Sequence, residues 1–153
     1  MAHLTPDELT AWQLLQTVTQ TLRRESGREF DAAGLSAAEF TVLAHLVDAG
    51  GSARPAACAR SIGWDSSRLA HQARRLEKRG LVRRDAGPQT DRRAVVLSIT
   101  PTGRAAHRAA VGPHLRAAQR LFADALTPEQ LDGLTRALSA IATHLEHQTR
   151  GEA

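Results

Sequence analysis

Four side chains between residues 65 and 80 have the chemistry to read a nucleic acid by its bases. Arg68 and Arg75 can each bridge guanine O6 and N7, Gln72 can bridge adenine N6 and N7, and His71 adds a further donor or acceptor. With Arg79 they follow i, i+3, i+4, i+7 and i+11, which is one polar stripe if the segment is helical. Leu69, Ala73 and Leu76 at i, i+4 and i+7 make an apolar stripe on another side. Ser66 and Ser67 stand at the start, where hydroxyls and unpaired backbone N–H groups favour phosphate. Further along, Arg92 and Arg93 lie in a polar loop from which a guanidinium can enter a minor groove or grip the backbone. Asp91 beside them would be repelled by DNA and reads as an acid that orients a neighbouring arginine. Catalytic signatures are lacking: there is no Gly-rich phosphate loop, no G-x-S-x-G and no H-E-x-x-H, so no enzyme is expected.

Charge supports the same segment. The chain has 20 basic and 16 acidic residues, a net +4. Between Arg54 and Arg104 there are 12 basic residues and four acids, a net +8, while the rest of the chain carries −4. A basic module inside a mildly acidic scaffold fits a polyanion partner, and a merely solvated helical face is the plainer reading that charge alone leaves open. Nineteen of the basic residues are Arg and only Lys78 is Lys; alongside 28 alanines this is equally compatible with coding bias, so placement is the informative part. Cys58 is the sole cysteine, which excludes an intramolecular disulfide and a Cys-rich zinc site. The 153 residues suit one domain or one protomer of an oligomer. With no apolar run of about 18–20 residues and no signal-peptide pattern at the N-terminus, a cytoplasmic protein without membrane contact is expected.

The elements that must position these residues are well marked. Thr5 to Glu8, Ser36 to Glu39 and Thr127 to Gln130 have capping-box spacing, twice with Pro at the first helical position. Helices are predicted over about 6–25, 36–49, 55–61, 65–80, 100–125 and 127–149, the fifth kinked or broken at Gly112-Pro113. Residues 81–85 and 94–99 read as two strands joined by a long polar tip, a β-hairpin. The first helix carries Trp12, Leu15, Val18 and Leu22 on one stripe. The last carries Leu131, Leu134, Leu138, Ile141 and Leu145 in steps of 3 and 4, a narrow seam. That seam can pack within its own protomer or against a partner subunit; a partner is favoured because both terminal helices are amphipathic.

A short helix, a tight turn, a second helix and a hairpin form the winged helix-turn-helix order. The run from Ser67 to Gln72, then Arg75 to Arg84, resembles the recognition helix and first wing strand of MarR-family regulators. So do Asp91-Arg92-Arg93 and the run from Val96 to Gly103. The resemblance implies a mainly α fold with a small β-hairpin wing, in an intertwined helical homodimer. Residues 1–35 would form an N-terminal dimerisation helix, 36–103 the DNA-binding domain and 104–153 the C-terminal dimerisation helices. It implies a regulator, expected to be a ligand-responsive repressor, bound to double-stranded DNA at a pseudo-palindromic operator. Major-groove contacts then fall to Ser66, Ser67, Arg68, His71, Gln72 and Arg75, and the wing contact to Arg92 or Arg93. The dimer interface falls to Trp12, Leu15, Leu22, Leu131, Leu134, Leu138, Ile141 and Leu145. A small-molecule effector pocket is implied between dimer helices and winged lobe, with Trp12, Phe40, His45 and Leu46 as lining candidates; His45 has the competing reading of a satisfied core histidine.

Several residues keep two readings. Trp64 either packs under the turn or touches the sugar-phosphate. Cys58 reads as a small core residue rather than an oxidant sensor. His107 and His114, like His144 and His147, share helical faces but lack completing ligands, so they read as solvated surface, and neither metal nor cofactor is expected. A nonspecific architectural DNA-binding protein without an effector is the alternative function.

Overall fold

The computed structural model describes residues 3–87 and 94–151, so the expected wing-tip residues Asp91, Arg92 and Arg93 lie outside the described residues. The chain divides into two compact units, residues 1–115 and 116–153.

In the first unit, α1 (Pro6–Ala32) opens on its capping box: the Thr5 N–H donates to Glu8 Oε2 at 2.7 Å and the Glu8 N–H donates to Thr5 Oγ1 at 3.3 Å. It runs past the predicted end near residue 25. Phe30 supplies the reason: it is buried, and its ring lies 4.7 Å from that of Phe40, so the last turn has a packing partner. Helix α2 (Ala37–Asp48) opens on the Ser36–Glu39 box and forms the centre of the unit, with Val42, Leu43 and Leu46 fully buried. A two-residue strand β1 (Ser52–Ala53) follows, then α3 (Pro55–Ile62), α4 (Ser66–Lys78), β2 (Val82–Ala86) and β3 (Val95–Ile99). The sheet is antiparallel in the order β1-β3-β2, with Val82 opposite Ile99 and Ala86 opposite Val95. Two residues are too short to show a period, so β1 leaves no signal in the sequence.

One core joins these elements. Leu43, Leu46, Cys58, Leu69, Leu76, Leu81, Val82 and Leu97 meet in a single cluster. Cys58 is buried there and burial pushes its thiol pKa up, away from the reactive thiolate.

Helix α5 (Pro101–Leu121) is continuous, with Pro113 inside it, so of the expected kink or break the break does not occur. An interior proline costs about 3 kcal/mol locally. Packing on both sides offsets it: Ala110 is fully buried, and His114 stacks on Phe30 at 5.2 Å. The start of α5 is anchored by Thr100. Its hydroxyl donates to the Gly80 carbonyl at 2.6 Å and accepts from the Gly103 N–H at 3.0 Å, while its own N–H donates to the Leu81 carbonyl at 3.1 Å. Gly103 must be glycine here, because a Cβ would collide with the Leu81 carbonyl oxygen.

The second unit holds the end of α5, a 3-10 turn (Ala123–Ala125) and α6 (Pro128–Gly151). The expected capping box forms, the Thr127 N–H donating to Gln130 Oε1 at 2.9 Å. On α6, Leu131, Leu138, Ile141 and Leu145 are exposed. Among the described residues, no single helix is long and apolar enough to cross a membrane.

Candidate nucleic-acid interface

The α3–α4 turn is built on Gly63, whose φ of 70° ends α3 in the left-handed conformation. The Trp64 N–H then reaches back to the Ala59 carbonyl at 2.9 Å, a Schellman-type closure. Asp65 caps α4 by accepting the Arg68 N–H at 2.8 Å. Phosphate at this helix end therefore competes with a resident carboxylate. Trp64 is half-buried against the core and presents its ring to Arg68, whose guanidinium carbon lies 4.1 Å from the ring centroid. The packing reading of Trp64 holds, and the ring also fixes where Arg68 stands.

Helix α4 separates its two sides as the sequence pattern required. Leu69, Ala73 and Leu76 are buried, while Ser67, Arg68, His71 and Arg75 are exposed. Ser66 is exposed on the flank toward the wing, where with Pro55, Ala70 and Arg84 it lines a small cavity of about 240 Å³. Gln72 is half-buried, and its Oε1 is buried without a hydrogen-bond partner. Arg79 does not belong to the displayed stripe. Its guanidinium donates to Glu39 Oε2 at 2.7 Å and to the Gly34 carbonyl at 2.6 Å. Glu39, at 1% exposure, is the one fully buried charged residue among the described residues. The reason is rotational: at 3.6 residues per turn, Arg68, Gln72 and Arg79 lie roughly 60–100° from the apolar stripe, on its flank toward α2.

The same geometry finds what the motif reading missed. Arg74 lies about 140° from Leu69 on the helical wheel, on the outer side with Ser67, His71 and Lys78. Both Arg74 and Lys78 are exposed and have no ion pair among the described residues. The wing cations differ. Arg83 pairs with Asp85 at 2.8 Å and Arg84 with Glu77 at 3.2 Å. Hydrogen bonds from Arg83 first, then Ser98, hold the Asp85 carboxyl below its usual pKa.

A cleft of about 430 Å³ lies within the first unit, lined by α1, α2, α3 and α5. Phe30, Phe40, Thr41, His45, Asp48 and His114 stand on its walls. Of the four expected lining residues it brings together Phe40 and His45; Leu46 is fully buried in the core, and Trp12 is exposed on the N-terminal half of α1. His107 and His114 are not solvated surface. Both are half-buried against Phe40, His107 stacked on it at 5.2 Å and His114 tilted to it at 4.9 Å between centroids, and burial pushes the His107 pKa down. Among the described residues, no three His, Cys, Asp or Glu side chains are grouped to hold a metal.

A helix-turn-helix family model matches residues 29–150. AbsC, a MarR family transcriptional regulator from Streptomyces coelicolor, superposes with a TM-score of 0.88 at 31% identity, over 96% of this chain and 99% of that one. The chain belongs to the MarR family. A second MarR family regulator of that organism, solved in complex with DNA, superposes at 0.86 with 28% identity, covering 94% of each chain. CouR from Rhodococcus jostii, solved with p-coumaroyl-CoA, superposes at 0.74 with 25% identity, over 84% of this chain and 89% of that one. A search of curated proteins returns no match. As a MarR family member, the chain is a DNA-binding transcriptional regulator, and α3, α4 and the β2–β3 hairpin are its winged helix-turn-helix.

Proposed function

We propose that this MarR regulator binds a pseudo-palindromic operator as a homodimer and represses transcription until a small molecule enters the cleft. The observation that carries the reading is the two-sidedness of α4: a buried Leu69–Ala73–Leu76 stripe fixes the helix, and the opposite side presents exposed donors. Ser67, Arg68, His71 and Arg75 contact the major groove, with Ser66 and Gln72 at the margins, and Arg74 neutralises a backbone phosphate beside them. Arg92 or Arg93 grips DNA from the wing, with Asp91 orienting it.

Residues 1–35 and 104–153 supply dimerisation, and 36–103 the DNA-reading domain. Support comes from apolar surface that a single chain leaves in water. On α1, Trp12, Leu15 and Val18 are exposed; on α6, Leu131, Leu138, Ile141 and Leu145 are. Leu22 and Leu134 are half-buried at the margins of these stripes. Two-fold symmetry then sets the recognition helices in successive major grooves about 34 Å apart. A ligand held between Phe40, His45 and His114 would favour lobe positions that no longer match that spacing, a population shift. CouR, a structural neighbour solved with p-coumaroyl-CoA, gives a precedent for a small-molecule partner on this fold.

Selection of bound sequences from a random DNA pool tests this reading. Enrichment of a palindrome, bound about 10³-fold or more tighter than random duplex, is the expected result. Retention of DNA with no enriched sequence would instead establish a nonspecific architectural protein.

A further inference from the structure

The carboxylate of Glu39 is unused by the DNA-reading scheme above, yet it lies beneath the recognition helix. It belongs to the first turn of α2, and its side chain is 2% exposed. Oε2 is fully engaged, accepting the Ser36 N–H at 2.9 Å and the Arg79 guanidinium at 2.7 Å. Oε1 is different: it is buried and has no hydrogen bond. The group nearest to serving it is the Arg75 Nε, 3.9 Å away, inside ion-pair range but too long for a hydrogen bond. A buried acceptor on a charged group is costly to leave open. Arg75, with a side chain 58% exposed, is long enough to swing between this oxygen and the DNA-facing side of α4.

We propose that Glu39 is a specificity-determining positioning residue: it holds Arg79 off the DNA and competes with phosphate for Arg75. A duplex phosphate can also take Arg75 through two oxygens, but that attraction depends on charge and is offset by the anionic Glu39 beside the guanidinium. A guanine edge is neutral and offers two parallel acceptors to the Nη groups, which the approach of Nε to Oε1 leaves free. The acid thereby suppresses sequence-independent affinity while leaving the base contact available. The proposal rests on the DNA-reading role of α4.

Glu39→Gln isolates the charge, because Gln at this capping-box position still serves the Ser36 N–H. Affinity is measured over a salt series for wild type and variant, on the selected operator and on a random duplex. On random duplex, Glu39→Gln is expected to bind several-fold tighter, and its log affinity to fall with log salt more steeply by about 0.9 for each additional phosphate neutralised. The operator-to-random ratio should narrow several-fold. Unchanged random-duplex slope and affinity in a folded Glu39→Gln protein overturn the proposal. Arg75→Gln provides a second reading independent of the cap. It should weaken operator binding and leave random-duplex affinity and slope as in wild type; an equal loss on both duplexes makes Arg75 an ordinary phosphate contact and overturns the proposal. Absence of any operator preference in wild type would count against the regulator reading, while the random-duplex arm still decides the role of Glu39.

Discussion

Helices α4 and α6 carry the same kind of apolar pattern and use it in opposite ways. On α4 the stripe is closed by the chain's own α2, α3 and sheet, and Leu76 is fully buried. On α6 the stripe is left in water, with Leu138 at 43% and Leu145 at 57% exposure. Periodicity therefore says that a face will be covered, and only the fold says by what. The charged side differs too. The cations of α4 are sorted into those engaged inward, such as Arg79 on Glu39, and those displayed, such as Arg74 and Lys78. A surface helix with no reading function has no need of that division.

The largest expected effect tests the open stripe. Ile141→Asp should yield a monomer by sedimentation and cost operator affinity about 10²–10⁴-fold, the advantage of joining two half-sites in one particle. Should the variant stay dimeric but melt early, the α6 stripe packs on its own protomer and the contrast with α4 collapses. For the closed stripe, Leu76→Ala should lower unfolding stability by about 2–5 kcal/mol in denaturant titration. A loss below about 1 kcal/mol would mean that the lobe refills the cavity. Next comes Arg68→Ala, expected to cost about 1–3 kcal/mol and to relax preference at one base pair per half-site. Equal weakening on operator and random DNA would reassign it to phosphate. Arg74→Ala should make the salt slope on any DNA shallower by about 0.9, with sequence preference intact.

The smallest effect lies outside both helices. His107 is half-buried on Phe40, and burial first, then Arg108, lowers its pKa against the opposing pull of Asp48. A base whose folded pKa lies below its ordinary value of about 6.5 binds its proton more readily when unfolded. Its stability contribution is therefore complete above about pH 7 and is lost as pH falls through about 6.5 toward the folded value. The melting temperature should decline across that window, and His107→Phe should flatten the decline. An identical decline in the variant would assign it to other groups.

Much of the lobe was legible in the sequence. Capping boxes located the starts of α1, α2 and α6, and the Leu69–Ala73–Leu76 spacing identified the inner side of α4. Where the pattern misled, tertiary contact had overridden a local rule. Pro113 stays inside α5 because Ala110 and His114 pack beside it, and α1 continues because Phe30 finds Phe40. Arg79 shared the spacing of a displayed stripe, yet its partner Glu39 lies 40 residues away, beyond any local pattern. The histidines of α5 looked like surface for the same reason: the aromatic rings that cover them come from α1 and α2. A full helical wheel of α4, taken outward from its buried centre, would have found Arg74.

The hydrogen bonds that Thr100 makes to Gly80, Leu81 and Gly103 have a mechanical meaning. They fasten the end of α4, the root of the wing and the first turn of α5 at one point, and the absent side chain of Gly103 leaves no slack between α5 and Leu81. The recognition helix is thus clamped to the wing and to the root of α5 like a tool in a handle. A push applied along that first part of α5 would be delivered to α4 and the wing together, as a rotation of the whole reading head rather than a bend within it.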